Sequence, residues 1–171
     1  INSQEGASPK SSLVVTTEGT IYGISAQGGE NNSGTIFRYE NGDFEVLYQL
    51  ESSTDGNNAN AELIQKDDNT FIGATFNGGE NGGGVLFEYS IISGFTALFH
   101  FNANESGANP SGALVYENGN IYGTCSNGGL HGFGSIWKYT DSNLTVLHHF
   151  EGDDSGSYPR SGVTLATDGS L

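Results

Sequence analysis

The sequence predicts an all-β fold of tandem antiparallel meanders, each of four strands and about 50 residues, with three copies complete and a fourth begun. Three observations carry this. Ile21-Tyr22-Gly23 recurs as Phe71-Ile72-Gly73 and as Ile121-Tyr122-Gly123, 50 residues apart each time. The same spacing holds for Gly28-Gly29, Gly78-Gly79 and Gly128-Gly129, for Gly34, Gly84 and Gly134, and for Phe37-Arg38-Tyr39, Phe87-Glu88-Tyr89 and Trp137-Lys138-Tyr139. Within each copy, short apolar or alternating runs are separated by Asn, Asp and Gly turn signals, the pattern of strands joined by hairpins. No stretch of useful length carries the 3.6-residue periodicity of a helix.

The elements follow in order, taken from the third copy. Gly112 to Tyr116 is a short apolar run, and Glu117-Asn118-Gly119-Asn120 carries the Asn-Gly signal of a tight hairpin. Ile121 to Ser126 forms the second strand and leads into a Gly-rich loop from Asn127 to Gly134. Ser135 to Tyr139 alternates small or aliphatic with aromatic residues, Asp141-Ser142-Asn143 turns the chain, and Leu144 to Phe150 is the fourth strand. The phase slips once and recovers: Leu47, Leu98 and Leu147 are spaced by 51 and then 49, and an extra residue in the turn from Ser90 to Gly94 accounts for it.

A four-stranded meander at this period is the pattern of a β-propeller blade. One such sheet cannot bury both its faces, so blades pack face to face and the inner strands become apolar or small on both sides. Gly23, Gly73 and Gly123, inside strand patterns, read as narrowing the inner strand rather than as turn residues. The expected organisation is one repeat domain over 1–171. It has blades at about 11–60, 61–110 and 111–160, a partial blade over 161–171 and an inter-blade loop over 1–10. Ser8-Pro9-Lys10-Ser11 aligns with Tyr158-Pro159-Arg160-Ser161, and Glu18 to Ile21 with Thr167 to Leu171 around Asp168-Gly169. Closed propellers need at least about four blades, so this chain is expected to form an incomplete or open propeller.

The run from Ile121 to Tyr139, IYGTCSNGGLHGFGSIWKY, followed by LTVLHHF from Leu144 to Phe150, resembles the GloVer tandem repeat. That family's pattern is similar to L-Y-G-T-T-x-x-G-G-x-x-G-x-G-T-V-F-K-L, a turn, then L-x-x-L-x-x-F, and all three copies match it. The resemblance implies a propeller-like architecture and exported bacterial proteins, often with a separate C-terminal sorting or anchoring domain, some in the style of type IX secretion. It brings no catalytic residues. Two departures stand out: Asn69 replaces the usual turn glycine, and Asn57 to Ala61 lacks the proline of Asn109-Pro110.

Composition narrows the function classes. The chain of 171 residues has 20 Asp+Glu against 5 Lys+Arg, a net charge of −15. That excess repels nucleic-acid phosphates and anionic headgroups, so neither nucleic acid nor membrane insertion is expected. Hydrophobic residues at 35% supply a core despite the acidity. One Cys precludes an internal disulfide, and the absence of Met marks a mature, processed or excised piece. With 27 Gly the balance fits a secreted or cell-surface bacterial protein.

Topology sorts the loops onto two edges. The first-to-second and third-to-fourth connections share one edge and are short; the second-to-third and inter-blade connections share the other and are long, the face where binding usually resides. Glu30, Glu80, His131, Phe133 and Tyr158 are the candidate ligand-face residues, for a protein or glycan partner. Asp55, Glu105, Asp153 and Asp154 are oxygen donors on the same edge that a Ca²⁺ ion would use, although no stretch has the D-x-[DN]-x-[DN]-G spacing. No cofactor is expected otherwise, and solvated acidic loops explain the same residues.

Catalytic features do not assemble. Cys125 stands where Ser25 and Thr75 stand, so it reads as a small packed residue. His100 and His149 are equivalent to Gln49, and one adjacent pair, His148-His149, does not supply converging zinc ligands. The Gly-rich loops precede strands rather than helices, which removes the phosphate-cradle logic. Asn31, Asn104 and Asn143 head N-x-[ST] sequences and read as turn residues. The expectation is a non-enzymatic binding or adhesion module, a fragment of a longer repeat protein. The alternative is a structural subunit whose open blade edges self-associate into a homo-oligomeric ring or filament.

Overall fold

The computed structural model describes residues 3–154, 156–166, 168 and 170. Three four-stranded antiparallel sheets follow one another, each with its strands side by side in chain order. The first blade holds β1 (Val14–Val15), β2 (Ile21–Ile24), β3 (Thr35–Glu40) and β4 (Asp43–Gln49). The second holds β5 (Ile64–Asp67), β6 (Thr70–Thr75), β7 (Val85–Ser90) and β8 (Gly94–His100). The third holds β9 (Ala108–Glu117), β10 (Asn120–Asn127), β11 (Ser135–Thr140) and β12 (Asn143–His149). The only helical element among the described residues is a 3-10 turn, Ser3–Glu5. The sheets form an open set of propeller-like blades, as the repeat predicted.

Turn chemistry explains the meander. Asn41-Gly42, Asn118-Gly119 and Asp141-Ser142 all adopt positive φ at both central positions, which matches the twist of the strands they join. At Asn69, where the usual glycine is missing, the Asp67 carboxylate instead accepts the Asn69 N–H at 2.9 Å. The extra residue lies where the phase slip put it: Ser90 pairs with Gly94 across three residues, against the two-residue loops of the other blades.

Packing is between blades. Tyr22, Ile24, Ile36 and Leu50 of the first blade meet Leu63, Phe71, Val85, Phe87 and Tyr89 of the second in one core. Ile72, Ala74, Leu86 and Phe101 from the opposite face of the second blade meet Leu114, Ile121, Cys125, Trp137 and Tyr139 of the third in another. Neighbours such as Phe71 and Ile72, or Leu86 and Phe87, therefore point into different cores, so the strands read as continuous apolar runs. Each large side chain so buried contributes about 1.5–3 kcal/mol. Equivalent residues differ only in whether a blade covers them: Tyr89 and Tyr139 are buried, whereas Tyr39, on the uncovered face of the first blade, is 43% exposed.

The strand glycines face aromatic partners. Gly23 is in register with Phe37, Gly73 with Phe87 and Gly123 with Trp137. A Cβ at any of them would come too close to a carbon of the partner's ring to be accommodated without a shift. The narrowing expected from the repeat is thus specific: the ring on the third strand lies across the bare backbone of the second.

A bulge recurs in every blade between Ile36 and Phe37, Leu86 and Phe87, and Ile136 and Trp137. It leaves Leu47, Leu98 and Leu147 unpaired in the ladder. The freed carbonyls of two of them are taken by the next blade, since the Tyr89 hydroxyl donates to Leu47 O at 3.5 Å and the Tyr139 hydroxyl to Leu98 O at 3.4 Å.

The blades approach one another along their first strands. Ser12 Oγ donates to Glu62 at 3.0 Å, Lys10 Nζ to Asn58 at 3.3 Å, and Ser111 Oγ to Pro159 O at 3.1 Å. The last contact shows residues 158–162 seated on the third blade as the opening of a fourth. Of the alignment expected for the chain end, Thr167, Gly169 and Leu171 lie outside the described residues, as does Ser155 in the loop after Asp154 and as do Ile1 and Asn2.

Candidate functional site

The long-loop edge is built from a frame that is the same in every blade. In each second-to-third loop the N–H of Gly34, Gly84 or Gly134 donates to the carbonyl of Gly28, Gly78 or Gly128 at 2.9–3.0 Å, closing the loop at its base. Leu50, Phe101 and Phe150 then donate to the carbonyls of Gly34, Gly84 and Gly134, tying the loop to the fourth strand. Successive blades are stitched here too: Gly79 N–H reaches Ser52 O and Gly129 N–H reaches Ala103 O, both at 2.8 Å.

The loop tips are braced by a side chain from the fourth strand. Glu30 N–H donates to Gln49 Oε1 at 3.0 Å, Glu80 N–H to His100 Nδ1 at 3.3 Å, and Leu130 N–H to His149 Nδ1 at 3.2 Å. The equivalence of His100 and His149 with Gln49 is therefore chemical: each supplies an acceptor at the same place. Burial, followed by the nearby His131 and His148, lowers the pKa of His149 from its ordinary value. That favours the neutral ring, which the accepting Nδ1 requires. The sequence alone showed no sign of this role, because a glutamine and two histidines do not look alike as a motif.

A family model described as the Gloeobacter/Verrucomicrobia repeat matches residues 1–171. The chain belongs to that family. No curated protein matches it. The Gloeobacter/Verrucomicrobia repeat here consists of the glycine frame, the cross-strand glycine and ring, and the bulged leucine, all of which recur; the tip in the third blade, Leu130-His131, departs from the Glu-Asn of the first two.

On that frame the ligand-face candidates do not form one cluster. Glu30 and Glu80 are exposed at equivalent tips of different blades. His131 is exposed, with Nε2 3.8 Å from a Glu151 carboxylate oxygen. Phe133 is half-buried and meets Tyr158 edge to face at 5.5 Å, while its carbonyl accepts the Tyr158 N–H at 2.7 Å. Those two residues join the third blade to the start of the fourth, so Phe133 packs as well as faces outward. Tyr158 has a positive φ, as do Ser8, Asn58 and Asn109 at the equivalent positions.

The oxygen donors considered for Ca²⁺ are dispersed, and one of them has another use. Asp55 is buried and accepts from the Tyr48 hydroxyl at 2.9 Å and from Glu51 N–H at 3.0 Å. Glu105, Asp153 and Asp154 lie exposed in the later inter-blade loops. Among the described residues no group of three His, Cys, Asp or Glu side chains is placed to hold a metal ion.

Cys125 is fully buried, and burial pushes its thiol pKa well up. At the equivalent positions Ser25 Oγ and Thr75 Oγ1 accept the N–H of Thr35 and Val85, so this is a packing site in which the third blade carries sulfur. Two of the N-x-[ST] asparagines are engaged in the fold, with Asn31 Nδ2 donating to Leu50 O at 3.2 Å and Asn143 Nδ2 to Asp141 O at 2.9 Å.

Proposed function

We propose that the chain is a non-enzymatic repeat module that works outside the bacterial cell, as part of a longer repeat protein, and binds a protein or glycan through its long-loop edge. One observation carries this reading: three loops with the same backbone frame present exposed tips, Glu30-Asn31-Asn32 and Glu80-Asn81-Gly82, which share Glu-Asn, and Leu130-His131-Gly132, which replaces both residues. Constant bracing with variable, solvent-facing tips is how rigid scaffolds carry recognition. The cell-exterior address rests on the family's implied export and on the acidic, disulfide-free composition.

The experiment is an array of bacterial and plant glycans and matrix proteins probed with the wild type and with a variant carrying Ser or Gly substitutions at the four tip positions 30, 80, 130 and 131, which leaves the bracing amides of Asn31 and Asn81 in place. Specific signals lost in the variant, at unchanged thermal stability, support the reading. An array on which both proteins give the same pattern, or none, overturns it.

A second reading is head-to-tail assembly with a second copy. It is favoured by the tyrosine contact between blades: Tyr39, 43% exposed, and Leu147, 46% exposed, are the two halves of the pairing that Tyr89 makes with Leu47 and Tyr139 with Leu98. In such an assembly the partner's residues 8–12 take the seat that residues 158–162 hold in the single chain. Sedimentation equilibrium tests it, with mass rising with concentration for the wild type and less so for Tyr39→Phe. A monomer at every concentration ends it.

A further inference from the structure

A pocket of about 230 Å³ opens on the uncovered face of the first blade, with Glu5, Gly6, Ser25, Phe37 and Phe44 in its wall. The second blade carries residues of the same kinds at the equivalent positions: Asp55, Gly56, Thr75, Phe87 and Phe95. The aromatic floor is also the same, with Phe37 stacked on Phe44 at 5.1 Å and Phe87 on Phe95 at 4.9 Å. In the second blade, however, the space is filled. The Tyr48 ring of the first blade lies flat on Phe95, with centroids 4.9 Å and planes 5° apart, and its hydroxyl donates to the Asp55 carboxylate.

The two junctions inside the chain match the inserted ring to the residue seven positions on. Tyr48 carries a donor, and that residue is the acid Asp55. At the next junction Phe99 carries no donor and packs in the second core, and the residue seven on is Ser106, whose hydroxyl bonds within its own loop. A carboxylate at this position thus goes with a ring that can donate. Glu5 is such a carboxylate, and it is exposed.

The matching ring stands on the opposite face of the third blade. His148 is in register with Ile136 as Tyr48 is with Ile36 and Phe99 with Leu86. It is exposed, and it meets Phe150 edge to face at 4.9 Å, the arrangement of Phe99 on Phe101 at 5.3 Å. The ring is therefore placed as the two inserted rings are. An imidazole N–H reaches less far than a phenol O–H, and Glu5 is one methylene longer than Asp55, which offsets the difference.

Its own chain offers His148 no acid at that place, since the residue seven on is Ser155, which lies outside the described residues. The glycine after it, Gly156, has only the Phe150 ring within 4 Å of where a Cβ would stand, whereas Gly6 and Gly56 press on Ser25 and Thr75 of their own blades. A first blade arriving from another copy brings both the acid and that support. We infer that His148 of a second copy enters the pocket on the first blade, stacks on Phe44 and donates to the Glu5 carboxylate. Offset ring stacking and a charge-assisted hydrogen bond together supply the specificity of the contact. The inference rests on the head-to-tail reading and adds to it the anchor residue on each side; because the two surfaces differ, the contact repeats from copy to copy.

Sedimentation equilibrium of the whole 171-residue chain in about 0.15 M salt, which screens the repulsion between acidic copies, tests it. His148→Ala and Glu5→Ala are each expected to raise the dissociation constant between copies at least about tenfold, the scale of a lost charge-assisted hydrogen bond. Both residues are exposed, so the melting temperature of the dilute protein should stay at that of wild type. Glu5→Asp together with His148→Tyr transplants the pair of Asp55 and Tyr48 and should associate at wild-type strength or better. Wild-type association in either alanine variant, or a double variant as weak as they are, overturns the inference and leaves the head-to-tail reading standing. A monomer at every concentration ends both. If the Gly6 and Phe44 amides of such a monomer shift saturably with N-acetyltyrosinamide, the pocket belongs to an aromatic side chain of another protein and the inference falls.

Discussion

The Tyr48 hydroxyl donates a 2.9 Å hydrogen bond to Asp55 Oδ2, the same oxygen that accepts Glu51 N–H at 3.0 Å. The carboxylate thereby holds the last strand of the first blade to the loop leading into the second. In the next repeat Ser106 stands in its place, and its Oγ accepts Asn102 N–H at 2.9 Å. Asp55→Ala is expected to cost about 1–3 kcal/mol by leaving both donors unmet. Asp55→Ser should cost less, because the serine can cap the loop as Ser106 does. Urea denaturation of the two variants beside wild type measures the difference.

Tyr48 should titrate late. Burial first, and then the hydrogen bond and charge of Asp55, push its phenol pKa up to about 12 from 10.0. Since the folded value lies above the unfolded one, the associated stability is present in full below pH 10 and is lost as the pH rises from there towards 12. Phenolate absorbance followed against pH is expected to show a late-titrating tyrosine that disappears in Tyr48→Phe. Finding the late component undiminished in that variant would assign it to another residue.

His149 makes the opposite prediction. Its Nδ1 must stay unprotonated to accept Leu130 N–H, and its folded pKa is lowered by burial and by its histidine neighbours. Stability from this group is therefore present above the unfolded value of about 6.5 and declines as the pH falls from there towards the lower folded value. His149→Gln, which copies the acceptor of Gln49 in the first blade, should make the melting temperature less sensitive to pH below neutrality. An unchanged slope would mean that the titration lies elsewhere.

The close approach of Gly73 to Phe87 sets a steric limit. A methyl group at Gly73 meets the Phe87 ring, and overpacking of this kind costs about 1–3 kcal/mol. Gly73→Ala is expected to lower stability within that range. Adding Phe87→Leu should cost less in the alanine background than in wild type, because the ring that causes the clash is gone. A double-mutant cycle by thermal denaturation gives the coupling, and strict additivity would refute the packing role assigned to the glycine.

Much of this architecture could be read from the chain. The period between Ile21, Phe71 and Ile121 fixed the number of repeats, and the Asn118-Gly119 hairpin and the turn at Ser90 to Gly94 fell where their residues placed them. The candidate site was less legible. Glu30, Glu80 and His131 lie on the long-loop edge as expected, but they sit at tips of separate blades and do not converge. The role of Gln49, His100 and His149 was hidden for a related reason: the shared property is an acceptor atom at one point in space, and three side chains of two kinds can provide it.

By itself, then, the sequence determined what is local and periodic: strands, turns, the four-stranded meander and the glycine that each repeat places among large residues. These depend on backbone preferences and on the alternation of one chain segment, which neighbouring residues specify. The tertiary structure decided what depends on the next blade. It turned Tyr89 and Tyr139 inward while leaving Tyr39 exposed, gave the bulged carbonyls of Leu47 and Leu98 their donors, and left Leu147 exposed. Burial and hydrogen-bond satisfaction are properties of the contact between sheets, so the same residue at equivalent positions of the repeat acquires different surroundings according to what covers it.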